Sequence, residues 1–288
     1  MTTRVVAPAV SAPRRPVPAG ACDTHTHVFG GAEFAAGPAP YPLPEAPLEV
    51  HAAMRARLGL QRAVLVQPAP YGRDPACMLD ALRRDAGRLR GVMIADDSVS
   101  DATLQAWHEA GIRALRFVEM RAPGGSGRYP GAIGVEALHA LAPRLRALGW
   151  QAHLWASAAQ CAELLPQLVP LGVPLVVDHM GMPSGADDPA FAALLRHLRA
   201  NEIWLKATLC RLPRGDAGLE ALRPLQDAAV AANPDRILWG SDWPYVRMEP
   251  APDAGAMLDL FLSWLGDDRL ARRILVENPA ALFGFDDQ

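Results

Sequence analysis

Short apolar runs rich in Val, Ile and Leu recur along the chain at Ala21–Val28, Ala63–Gln67, Leu89–Ile94, Ala114–Val118, Gln151–Trp155, Leu175–Asp178, Ile203–Ala207 and Ile237–Trp239. Each reads as a strand. Most gaps between them hold apolar residues at helical spacing, such as Met78-Leu79-Leu82-Leu89 and Val135-Leu138-Leu141-Leu145-Leu148. Helix signals agree: Ser100-Asp101 opens one helix, while Gly111 and Gly149 stand where two should stop. Eight strand-helix units predict right-handed βαβ crossovers and a parallel sheet. In under 300 residues this fits a single (β/α)8 TIM barrel of the α/β class. A doubly wound open sheet is the alternative, weakened by the missing GxGxxG after the first strand.

Composition narrows the function classes. Half of the 288 residues are apolar and a fifth are charged, enough for a full core. The 28 basic against 31 acidic residues leave a net charge of -3, so no basic field points to nucleic acid. The apolar stretch Leu164 to Val177 is short for a bilayer and is broken by Pro166, Pro170 and Pro174. A soluble protein is expected, with no membrane partner. Residues 1–20 are Pro-rich, lack the unbroken apolar run of a secretory signal, and read as a flexible N-terminal arm; residues 21–288 read as the barrel. Cys22, Cys77, Cys161 and Cys210 lie far apart without a CxxC pair, which predicts reduced thiols and a cytoplasmic setting.

A barrel of this kind carries its chemistry at the C-terminal ends of its strands, and this sorts the eight histidines. His51, His108, His139 and His197 fall in helical patterns, where a surface or partly buried structural role is expected. His25, His27, His153 and His179 fall at or near strand ends. His25 and His27, two apart on an extended segment, put both imidazoles on one side, with Asp23 in phase to orient them. Asp242, after the last strand in ILWGSDWP, should face them across the mouth. Imidazoles with one carboxylate suit zinc or manganese; without a metal, Asp242 is a candidate general base and the histidines polarise a carbonyl.

These pieces, with YPLPEAP, VLVQPAPYGRD, GIRALRF, DHMGMP and VENPAALFGF, resemble the amidohydrolase superfamily from about Ala21 to Phe285. More narrowly they resemble its 2-pyrone-4,6-dicarboxylate lactonase branch. The resemblance implies hydrolysis of a small carboxylated lactone, an intermediate of aromatic-compound catabolism, with Asp242 deprotonating water and His25, His27 and His179 polarising the carbonyl. It implies substrate contacts from Tyr41, Tyr71, Arg116 and Arg211, with Arg121 and Arg128 as candidates for a further guanidinium. Arginine suits carboxylates because its planar fork makes paired hydrogen bonds.

The cofactor expectation is none, or one divalent ion (Zn or Mn) held by His25, His27, His153, His179 and Asp242. Strand four has no lysine, so a carbamate-bridged binuclear centre is not expected. His153 and Trp155 replace the glutamine and the tyrosine or histidine expected in the lactonase branch. Lys206 either neutralises a substrate carboxylate or snorkels from strand seven. Alternative functions are a sugar-acid lactonase or lactone isomerase, a mononuclear-metal decarboxylase of an unsaturated acid, and a binding protein that has lost its chemistry. A monomer or small homo-oligomer is expected.

Overall fold

A computed structural model describes residues 4–34, 37, 39, 41–121, 127–129, 131–213 and 218–285. Eight parallel strands follow one another in sequence order: β1 (Cys22–Thr26), β2 (Arg62–Val66), β3 (Leu89–Met93), β4 (Ile112–Val118), β5 (Gln151–Trp155), β6 (Leu175–Val177), β7 (Ile203–Ala207) and β8 (Ile237–Trp239). The helices that follow the eight strands are α1 (Leu48–Leu58), α2 (Ala76–Arg84), α3 (Asp101–Glu109), α4 (Glu136–Leu148), α5 (Ala158–Leu168), α6 (Pro189–Arg199), α7 (Arg223–Ala232) and α8 (Ala254–Leu265). This is the expected (β/α)8 barrel, with all eight strands at the predicted positions to within two residues at every end. Ser100 caps α3 by accepting from Thr103 N–H at 3.0 Å, and Gly149 ends α4 at φ 65°.

β8 meets β1 through specific hydrogen bonds. The Thr24 hydroxyl donates to the Trp239 carbonyl (2.7 Å), Asp242 N–H to the His25 carbonyl (2.8 Å), and His27 N–H to the Trp243 carbonyl (3.0 Å). Gly240 permits this approach, because a Cβ there would lie 2.7 Å from the Cβ of His25.

The two-residue period of the strands separates two cores. Outward residues pack against the helices. Cys22, Val64, Val66, Val92, Ala114, Val176, Trp204 and Leu238 face the interior together with Phe283 and Phe285. Phe285 forms the floor, with the guanidiniums of Arg62 and Arg90 5.3 and 4.5 Å from its ring centre. Continuing the same inward phase toward the C-terminal ends turns Ala114 into Arg116, Gln151 into His153 and Trp155, Val176 into Asp178, and Trp204 into Lys206. The fold therefore collects polar residues at one end.

The segment before Ala21, expected as an arm, begins at that end and then passes along α8, where Asp253 and Asp259 accept from the backbone N–H groups of Ser11 and Arg14. Arg4–Val6 pairs in parallel with Leu43–Glu45, a small sheet that the hydrophobic pattern did not predict. Arg4 donates to the carbonyls of Gly30 (2.7 Å) and Gly31 (3.1 Å), and the Trp243 indole N–H donates to the Pro8 carbonyl at 3.2 Å. Among the described residues no helix is long and apolar enough to cross a membrane.

Candidate active site

His25, His27, His179 and Asp242 converge as their strand-end positions require. A register shift in β1 between Asp23 and Thr26 spans His25 and precedes His27, and the two rings lie 5.3 Å apart. His179 and Asp242 occupy left-handed backbone at φ 53° and 63°, which turns each side chain back toward the mouth just past its strand. Asp242 Oδ1 is 3.2 Å from His27 Nε2 and 3.5 Å from His25 Nε2, and its Oδ2 pairs with Arg211 Nε. The His25 and His179 rings are 4.7 Å apart.

The tautomer of His27 follows from its neighbour. Its Nδ1 lies 2.8 Å from the Val66 carbonyl, which can only accept, so Nδ1 carries the hydrogen and Nε2 turns a lone pair toward Asp242. A lone pair beside a carboxylate oxygen is favourable with a cation between them, either a proton or a metal ion. Ligand atoms of His25, His27 and Asp242 all lie within 4.8 Å of one another, as do those of His25, Asp178 and His179, so these groups fit a divalent ion.

Beneath them lies a second layer. Asp178 accepts from Arg116 Nε at 2.8 Å and faces Lys206 Nζ at 3.2 Å, with all three side chains buried. Burial alone would raise the Asp178 carboxyl, but Lys206 and Arg116 outweigh it and hold it well below the usual range. Asp242 behaves alike: burial raises it, and Arg211 with the His27 contact brings it well below. Burial holds His179 at about 3, and burial with Lys206 holds His25 and His153 well below the usual histidine range. The imidazoles of His25, His153 and His179 are therefore neutral next to ionised carboxylates.

Above this floor opens a cavity of about 320 Å³. It is lined by His27, Phe29, Tyr41, Gln67, Pro68, Ala69, Arg116, Met120, Tyr129, Trp155, His179, Met182, Arg211, Asp242, Val246 and Arg247. Of the residues named from sequence, His27, His179, Asp242, Tyr41, Arg116 and Arg211 line it. His25 is fully buried directly below. His153 is not brought to the mouth: Lys206 lies against its Nδ1, and its ring centre is 5.9 Å from that of Phe283. Tyr71 packs behind Phe29, with ring centres 6.1 Å apart, outside the lining. Arg121 and Arg128 are exposed and bridge to each other through their backbones, and Arg128 is occupied by Glu119 and Glu136. His51 is fully buried rather than at the surface, 3.0 Å from the Thr26 hydroxyl behind β1.

Sequence reasoning passed over Asp178, Tyr129 and Arg247. Asp178 sits next to His179 at a strand end, a signal that was present in DHMG. Tyr129 and Arg247 lie in loops with no such signal, yet they build one wall: Arg247 donates to the Tyr129 hydroxyl at 2.7 Å, and the Tyr129 ring stacks on Trp155 at 5.0 Å. The Arg116 guanidinium lies 4.8 Å from the Trp155 ring centre on the same wall.

The amidohydrolase family model matches residues 22–285, nearly the whole barrel. The chain belongs to the amidohydrolase family. It is 34% identical over 290 residues to the 2-pyrone-4,6-dicarboxylate hydrolase of Comamonas testosteroni, covering 95% of this chain and 93% of that protein. It is 32% identical over 277 residues to the 4-sulfomuconolactone hydrolase of Rhizobium radiobacter, covering 93% and 91%. A solved structure from Acinetobacter baumannii with citric acid bound matches with a TM-score of 0.78 at 25% identity, covering 92% of this chain and 100% of that one.

Proposed function

We propose that this amidohydrolase opens a small carboxylated lactone by hydrolysis, with a ring like 2-pyrone-4,6-dicarboxylate as its substrate. The observation that carries this reading is the content of one cavity. The Asp242 carboxylate and the imidazoles of His27 and His179 share it with the guanidiniums of Arg116 and Arg247. Two of the relatives are named as hydrolases of lactones bearing anionic groups, and the Acinetobacter baumannii structure holds a tricarboxylic acid.

The chemistry follows from the placement of each group. Asp242 takes a proton from water as the oxygen attacks the lactone carbonyl. His179 lines the same cavity, so its imidazole acts on the carbonyl oxygen as charge develops there. The tetrahedral species collapses by breaking the ring C–O bond, and the proton taken from water returns to the departing ring oxygen. Arg116 and Arg247 hold carboxylates, because among the described residues Arg116 gives only its Nε to the protein and Arg247 only one nitrogen to Tyr129.

A divalent ion such as zinc or manganese, when bound, is held by His25, His27 and Asp242 and supplies Lewis-acid polarisation of the carbonyl. The flat faces of Trp155 and Tyr129 favour a planar unsaturated ring over a hydroxyl-rich sugar lactone. The four buried free cysteines are consistent with a reducing, cytoplasmic setting. The test is to follow the absorbance of 2-pyrone-4,6-dicarboxylate with purified protein. Loss of the ring chromophore with release of one proton per turnover supports the reading. Folded protein without turnover on this or other carboxylated lactones overturns it.

A further inference from the structure

Lys206 is fully buried on β7, and the partners of its ammonium decide where a hydrogen sits in the site. Its Nζ lies 3.1 Å from His153 Nδ1, 3.3 Å from His25 Nδ1 and 3.2 Å from Asp178 Oδ1. An ammonium has three N–H donors and no lone pair, so each ring nitrogen hydrogen-bonded to it is on the accepting side, with Asp178 Oδ1 beside it as the counter-charge. Both Nδ1 atoms must then accept. The Asp178 carboxylate also approaches His25 Nδ1, at 3.4 Å, but its Oδ2 takes Arg116 and its Oδ1 faces Lys206 more closely.

A neutral imidazole that accepts at one nitrogen carries its hydrogen on the other. For His25 this is Nε2, which lies 3.5 Å from Asp242 Oδ1. His27 is the reverse case, since its Nδ1–H goes to the Val66 carbonyl.

We propose that Lys206 is a positioning residue that holds His25 as its Nε2–H tautomer, opposite to the Nδ1–H tautomer of His27, so that of the two imidazoles beside Asp242 one donates and the other accepts. Lys206 on β7 hydrogen-bonds to His25 on β1, and the His25 Nε2–H is turned toward Asp242 after β8 at 3.5 Å. It aims the carboxylate from below and leaves His27 Nε2 as the open acceptor beside it. A divalent ion binding at His25 Nε2 has to displace the hydrogen that Lys206 keeps there. Reversing the His25 ring, with hydrogen on Nδ1, would set an N–H against an ammonium 3.3 Å away.

The consequence for turnover rests on Asp242 being the base; the tautomers do not. The experiment is nitrogen NMR of the full chain labelled with 15N-histidine at neutral pH, with signals assigned by their loss in His25→Gln and His27→Gln. Wild-type protein should show protonated Nε2 for His25 and protonated Nδ1 for His27. Lys206→Met should shift the His25 signals toward the Nδ1–H form while those of His27 stay, and should lower kcat roughly tenfold to a hundredfold with KM nearly unchanged, as for removal of other orienting partners of histidine. Hydrogen on His25 Nδ1 in the wild type overturns the proposal. So do unchanged His25 signals in folded Lys206→Met. If that variant fails to fold, the wild-type spectrum alone decides. Predicted tautomers in a protein inactive on pyrones would overturn the lactonase reading and leave this one standing.

Discussion

Gly240 and His25 approach each other so closely that a Cβ on Gly240 would meet the His25 Cβ at 2.7 Å and its backbone nitrogen at 3.1 Å. The barrel closes at this contact, and His25 and Asp242 reach each other across it. Gly240→Ala should destabilise the fold by about 1–3 kcal/mol through overpacking. It should also lower kcat by moving His25 away from Asp242. Urea unfolding with parallel kinetics checks this; an unchanged midpoint would show that the seam gives way freely.

Arg116 and Arg247 line the same cavity but differ in what lies behind them. Arg247 is exposed, so Arg247→Met should change stability by less than about 0.5 kcal/mol. Losing a charged contact to a substrate carboxylate should cost roughly 1.5–3 kcal/mol, or roughly 10- to 100-fold in kcat/KM. Arg116→Met should lose activity and stability together, by up to about 3 kcal/mol, because it removes one of the two cations held against buried Asp178. Equal stability losses in the two variants would contradict this division.

The strands were readable because residues of a parallel sheet covered by helices are buried on both faces, leaving unbroken apolar runs such as Ala63-Val64-Leu65-Val66. Asp242 and His179 were readable because each lies within three residues of the end of such a run, and His27 because it stands two residues after His25 at the end of the first strand. The pairing of Arg4–Val6 with Leu43–Glu45 was not, since three-residue strands, one containing Pro44, carry no periodicity. Arg116 stood out by its place inside an apolar strand, whereas local sequence could not show that Arg128, in a loop, is held by Glu119 and Glu136. Lys206 was open between snorkelling and function; its burial among Asp178, His25 and His153 depends on three other strands.

Acid should destabilise the fold well above the carboxylate range. Burial holds His51 and His179 at about 3 and His25 and His153 well below the ordinary 6.5, so all four stay neutral when folded and take up protons when unfolded. Their stabilisation is complete above 6.5 and is lost as pH falls. Burial pushes Asp23 the other way, to about 7, so its contribution is complete below 3.8 and lost as pH rises through 7. Four histidines less one aspartate leave roughly three protons taken up on unfolding between about pH 6 and 4, a slope of at most about 4 kcal/mol per pH unit. Urea midpoints measured from pH 7 to 4.5 should fall steeply. A flat profile would mean that these imidazoles are charged in the folded protein.

The central claim is that Asp242 is the base that opens a carboxylated lactone, and Asp242→Asn tests it most directly. The substitution keeps volume, and Arg211 retains the Val246 carbonyl, to which it donates at 3.0 Å. The measurement is turnover of 2-pyrone-4,6-dicarboxylate by wild type and variant, with circular dichroism to verify the fold. The account predicts turnover in the wild type and a loss of roughly 10²–10⁴-fold or more in folded Asp242→Asn. Retained turnover in the variant would contradict it.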